Sequence, residues 1–138
     1  MLNWLFKVGV VSDTTPPSSS FGFVYLITLK DGKKYIGRKS FWSTVKKKLT
    51  VQEMEARPSK RHKDYKLVTK ESSWRKYSGS SKLFGSREIA EKRILQIAKT
   101  KRHLSYLETK YLFKADVLES DEYLNDSIGG RYFRGNLI

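Results

Sequence analysis

Between Gly22 and Lys39 the chain reads GFVYLITLKDGKKYIGRK. Two phenols, Tyr25 and Tyr35, flank an Asp31-Gly32 turn signal, and Arg38 and Lys39 follow close behind the second. Whether they form a site depends on whether strand pairing gathers these residues on one side. A two-residue Asp-Gly loop sends Tyr25 and Tyr35 to opposite faces, because side chains alternate along a strand. A three-residue loop, Lys30-Asp31-Gly32 with Gly32 left-handed in a bulge, sets Tyr25 against Gly37, Tyr35 against Ile27 and Lys39 against Phe23, all on one face. Both loops suit the sequence, and only the second brings the phenols and an ammonium together. Gly37 would then leave room beside the Tyr25 phenol for a substrate. The plainer alternative is that tyrosine simply favours strands.

Glu108 is the other candidate. Residues 101–118, KRHLSYLETKYLFKADVL, place apolar side chains at 104, 107, 111, 112, 115 and 118, close to a helical period. At about 100° per residue, Glu108 falls inside that apolar stripe, about 40° from Leu104. A carboxylate buried there without a partner is costly or is forced to protonate. It either pairs with a lysine or does chemistry, as a ligand for a hard cation or as a general acid or base. In a protein built for nucleic acid, a lone inward carboxylate suggests one Mg²⁺ held against a phosphate.

The charge supports that setting. The 138 residues fit one domain, and 28 Lys and Arg against 14 Asp and Glu give a net charge of +14. Residues 30–102 hold 23 basic and 7 acidic residues, so the excess lies mid-chain. Self-repulsion of this size points to a polyanion partner, nucleic acid above all. The absence of cysteine excludes disulfides, zinc–thiolate sites and thiol catalysis. His62 and His103 lack the spacing of a metal pair. No apolar run suits a membrane span, the N-terminus lacks the marks of a signal peptide, and a cytoplasmic protein is expected.

Elements to position these residues follow in order. Residues 1–20 read as a flexible extension, or as a strand that docks elsewhere, with SDTTPPSSS as linker. The compact domain, 21–138, opens with the hairpin of strands 22–29 and 33–38. Residues 43–72 are a basic insert with a short helix near Thr50 to Glu55, capped by Thr50 with Glu53 and stopped by Pro58. SSWRKYSGSS, 72–81, is a loop. KRILQIA, 92–98, reads as a third strand, with a helix from Ser86 as competitor.

These motifs resemble the GIY-YIG nucleases. Phe23-Val24-Tyr25 stands for Gly-Ile-Tyr, with Gly22 one place earlier, and Tyr35-Ile36-Gly37 is intact after nine residues. Trp74-x-x-Tyr77-x-Gly79-Ser80-Ser81 resembles a loop of phage and homing members. Leu107-Glu108 resembles the helix with the metal-binding glutamate, and Leu124-Asn125 before Gly129-Gly130 the closing Asn segment. The resemblance spans about residues 21–134. It implies an α+β domain: a three-stranded antiparallel sheet flanked by helices. It also implies metal-dependent hydrolysis of DNA phosphodiesters with Mg²⁺ or Mn²⁺ on Glu108. Tyr25 would be the general base, its pKa of about 10 lowered by Arg38 and Lys39 so that it can act as phenolate; Tyr35 would be a hydrogen-bond partner of the phosphate or nucleophile, Arg38 or Lys39 the stabiliser of charge on phosphorus, and Asn125 a brace. Many members carry an arginine about ten residues past the second tyrosine; here Val45 stands there, so that either Lys46 replaces it or Arg38 and Lys39 take the role. Lys46, Lys47, Lys48, Ser80 and Lys82 would contact DNA, and Trp74 and Tyr77 would stack on bases, unless Trp74 belongs to the core. The alternative function is a DNA- or RNA-binding module without catalysis. A homodimer or a specificity partner is an open possibility, since one such site cuts one strand at a time.

Overall fold

The computed structural model describes residues 2–6, 9–10, 16, 19–79 and 82–137. In chain order the elements are β1 (Trp4–Phe6), β2 (Gly9–Val10), β3 (Gly22–Leu29), β4 (Lys34–Ser40), β5 (Trp42–Lys48), α1 (Val51–Glu55), β6 (Tyr65–Glu71), β7 (Ile89–Ala98), α2 (Lys101–Lys114), β8 (Ser127–Ile128) and β9 (Tyr132–Phe133). The fold is α+β.

The expected antiparallel trio is present as β7-β3-β4, and the sheet is larger than three strands. Its order is β2-β1-β7-β3-β4, with β1 parallel to β7. The cause lies in residues read as a flexible extension. Trp4 is fully buried, donates its indole N–H to the Trp74 carbonyl at 2.7 Å, and meets Phe23 edge-on at 5.0 Å. Trp4–Phe6 is thus part of the core, which corrects the flexible reading there. Most of the 12–20 linker lies outside the described residues.

The β3–β4 turn settles the loop. Tyr25 pairs with Gly37, Ile27 with Tyr35 and Phe23 with Lys39. Gly32 has φ +89° and donates to the Leu29 carbonyl, as the three-residue loop requires. β7 is a strand from Ile89, so the competing helix does not form. Its Ile94 and Leu95 pack into clusters on opposite sheet faces, a period of two that a helix would not satisfy.

Alternation along β3 divides the core. Phe23, Tyr25, Ile27 and Leu29 pack on one face with Trp4, Phe41, Trp74 and Phe84. Val24, with Ile36 of β4, faces the other way onto Leu104, Leu107 and Leu112 of α2. One face is therefore covered by a helix and the other by the aromatic loop after β6, not by helices on both.

The basic insert folds as a two-stranded antiparallel ribbon, β5 against β6, joined through α1. The Thr50–Glu53 capping box forms in both directions, at 3.0 and 3.2 Å. No residue of β5, β6 or α1 is buried.

Candidate active site

The strand register delivers Tyr25, Tyr35 and Lys39 to one face. The rings of Tyr25 and Tyr35 lie 6.4 Å apart. Tyr77 arrives from the loop after β6, with its ring 5.9 Å from that of Tyr25 and Lys39 Nζ 4.5 Å above it. The two phenols of Tyr25 and Tyr77 share a hydrogen bond. Tyr77, read as a base stacker, therefore sits in the tyrosine cluster itself. Pairing with β7 shifts register between Val24 and Tyr25, with the extra residue, Leu95, on β7.

Gly37 has a different use from the one expected. A Cβ there would stand 2.4 Å from the Tyr25 hydroxyl, so the phenol itself fills the space over the strand. Burial, then Tyr77, Tyr35 and Glu108, all push the Tyr25 pKa well above its usual value. This corrects the expectation that Arg38 and Lys39 depress it. Alternation turns Arg38 to the helix side of β4, and Lys39 lies over Tyr77.

On that helix side, Arg38 donates to Ser105 Oγ at 2.5 Å and lies 3.6 Å from Glu108. The Glu108 side chain is 25% exposed. Partial burial raises its pKa, and Arg38 offsets this only in part. The inward position read from the helical period is where the structure has it. Tyr25 and Glu108 are close enough to feel each other's charge, so the site straddles β4, with phenols on one side and the carboxylate on the other.

Among the described residues no group of three or more His, Asp or Glu side chains converges. A single carboxylate still fits Mg²⁺, which keeps most of its waters and takes one or two carboxylates together with substrate phosphate. Arg38, Lys39 and Tyr77 also line an open cleft of about 380 Å³ with Phe21, Trp42 and Lys101.

Asn125 is buried and bonds both backbone groups of Ile36. Its Oδ1 accepts from the Ile36 N–H at 3.1 Å, and its Nδ2 donates to the carbonyl at 2.8 Å. One side chain thereby acts as a strand partner for the middle of Tyr35-Ile36-Gly37, on the free edge of β4. Arg134 in turn donates to the carbonyls of Val117, Leu118, Ser120, Tyr123 and Asn125. Nothing in the local sequence marked Arg134, because its partners lie up to 17 residues away. Lys92 was also missed: it is fully buried, donates to the Tyr77 carbonyl at 2.6 Å, and has its pKa pushed down by burial to about 8.

The other predicted contacts divide. Trp74 is 1% exposed, donates to Glu71 at 2.8 Å and packs on Phe23 and Phe41, so it presents no face to a base. Lys46, Lys47 and Lys48 are exposed on β5, away from Tyr25, with Lys46 Nζ 4.6 Å above the Tyr65 ring. Arg38, Lys39 and Lys101 are the cations that line the cleft. Lys82 is exposed. Ser80 lies outside the described residues.

The comparison with curated proteins and the comparison with solved structures each found no match. A family model described as "Putative endonuclease segE, GIY-YIG domain" matches residues 4–128. That span runs from the buried Trp4 through the tyrosine hairpin, Glu108 and Asn125, and the chain belongs to the GIY-YIG endonuclease family.

Proposed function

We propose that this chain is a metal-dependent DNA endonuclease whose cleft hydrolyses one phosphodiester at a time. The observation that carries the reading is Glu108: a half-buried carboxylate on an otherwise apolar helix face, held at 3.6 Å from Arg38 and near enough to Tyr25 for its charge to raise the phenol's pKa. A structural ion pair alone could form on the exposed face of α2 without the cost of burial.

Glu108 would hold Mg²⁺ or Mn²⁺, which when bound supplies Lewis-acid charge to the leaving oxygen. Arg38 and Lys39 line the cleft and would bind the phosphate, stabilising the negative charge that builds on it as water attacks. Tyr35 would orient the phosphate or the water. Tyr25 would accept the water's proton. Burial keeps its phenol protonated in the free protein, so substrate binding would first have to release that proton to solvent before Tyr25 could take the water's. Asn125 keeps Ile36, and with it Tyr35 and Gly37, in register. The protein would act where its DNA is, in the cytoplasm. One cleft cuts one strand, and double-strand cleavage would take a second copy or two successive nicks.

The test is nicking of supercoiled plasmid with Mg²⁺. Wild type is expected to nick, and Glu108→Ala to lose at least ~100-fold of the rate while still binding DNA. If Glu108→Ala nicks as wild type does, the metal is not held there. If wild type binds in a salt-sensitive way and never nicks, the chain is a binding module.

A further inference from the structure

We propose that the β5–β6 ribbon reads DNA sequence, entering the major groove with Thr44, Lys46, Leu67 and Thr69 toward the base edges. Only the distance from ribbon to cut rests on the nuclease reading; the binding itself does not.

The register fixes which side chains share a face. Thr44 stands opposite Thr69, and Lys46 opposite Leu67. These four are exposed, Leu67 at 65%. The opposite face is different: Val45 and Val68 there are half-buried, and Lys66 is tied to Glu53 of α1 at 2.7 Å. A ribbon that only tracked phosphates would need lysines and no exposed leucine. Threonine hydroxyls that donate and accept, methyls that can meet the thymine methyl and a lysine for guanine O6 and N7 match what the major groove offers. That groove, about 12 Å wide, admits a two-stranded ribbon. A ribbon with no buried residue is marginal by itself, so a partner surface would stabilise it.

The root gives the ribbon a direction. Trp42 donates its indole N–H to the Ser20 carbonyl at 2.9 Å, and Ser72 bonds Phe41 and Ser40 at 2.7 and 2.6 Å. Trp42 and Ser72 also line the cleft with Arg38 and Lys39. From Trp42 to Lys48 the strand spans roughly 20 Å. That corresponds to about six base pairs, so the bases read lie within about one helical turn of the cut.

The experiment is a binding selection from a random duplex pool with full-length protein in EDTA, so that cleavage does not interfere. Wild type is expected to enrich a short sequence block. The triple variant Thr44→Ala/Leu67→Ala/Thr69→Ala should bind with the same salt dependence and lose at least ~10-fold of the preference. A second arm needs no variant: 7-deazapurines in the block remove the major-groove N7 acceptors and should weaken wild-type binding at least ~10-fold. No enriched block with wild type, an unchanged block with the variant, or indifference to 7-deazapurine would each overturn the proposal. A flatter salt slope in the variant would also overturn it, because those side chains would then be meeting phosphates. A chain that selects a block and never nicks refutes the nuclease and leaves the reading arm standing. A chain that nicks and selects nothing refutes only the arm.

Discussion

Glu108 costs the free protein stability, and that cost can be measured. Burial raises its pKa, so ionisation is less favourable in the folded than in the unfolded chain. The penalty is absent well below pH ~4, where both states are protonated, and complete once pH exceeds the raised value. In EDTA, Glu108→Gln should therefore be more stable than wild type at neutral pH, and the difference should vanish in acid. Denaturant midpoints between pH 3 and 8 check this; equal curves throughout would mean that Arg38 cancels the burial. Several of these roles could be read from residue types alone. The helical period found Glu108, and the alternation of a bulged hairpin found the shared face of Tyr25, Tyr35 and Lys39. The sequence could not show that Tyr77 would bond Tyr25, since that depends on a loop about fifty residues downstream.

At the scale of elements, the exposed edge of β4 is closed by the 122–125 segment, through backbone bonds and one side chain. Besides Asn125 on Ile36, the Leu124 N–H meets the Lys34 carbonyl and the Lys34 N–H meets the Glu122 carbonyl, both at 2.8 Å. Asn125→Ala removes two hydrogen bonds from the centre of this run. It should cost about 2 kcal/mol, read from urea unfolding. It should also slow nicking more than it weakens DNA binding, because Ile36 lies between Tyr35 and Gly37. A loss of binding alone would place Asn125 outside the site. The hairpin, the third strand and the long helix were legible because each has its own period and turn chemistry. The ribbon was legible only as a charge-rich insert: strands made of Lys, Thr and Val carry no buried stripe to reveal them.

Across the whole molecule, the ends of the described chain meet the sheet on opposite edges. β1 extends it beyond β7, and the segment carrying Asn125 covers β4. A core that includes Trp4 implies that Trp4→Ala should destabilise the protein by about 3–5 kcal/mol, read by thermal or urea unfolding, although a short, linker-flanked N-terminus would suggest no effect. An unchanged midpoint would return residues 2–6 to the status of an extension. The sequence offered that strand only as one of two readings, because three residues are too few for a firm pattern and its partner β7 is more than eighty positions away.

Arg134 gathers five carbonyls around Asn125, and it also sets an order in time. Synthesis proceeds at about 5–20 residues per second, so Arg134 is added on the order of ten seconds after Tyr35. The tyrosine hairpin is thus made and able to pair long before the group that fixes its brace. While the chain is still on the ribosome, the phenols and Glu108 exist without the clamp that holds their strand in register. The register of the tyrosine strand is therefore fixed only after about a hundred further residues have been added.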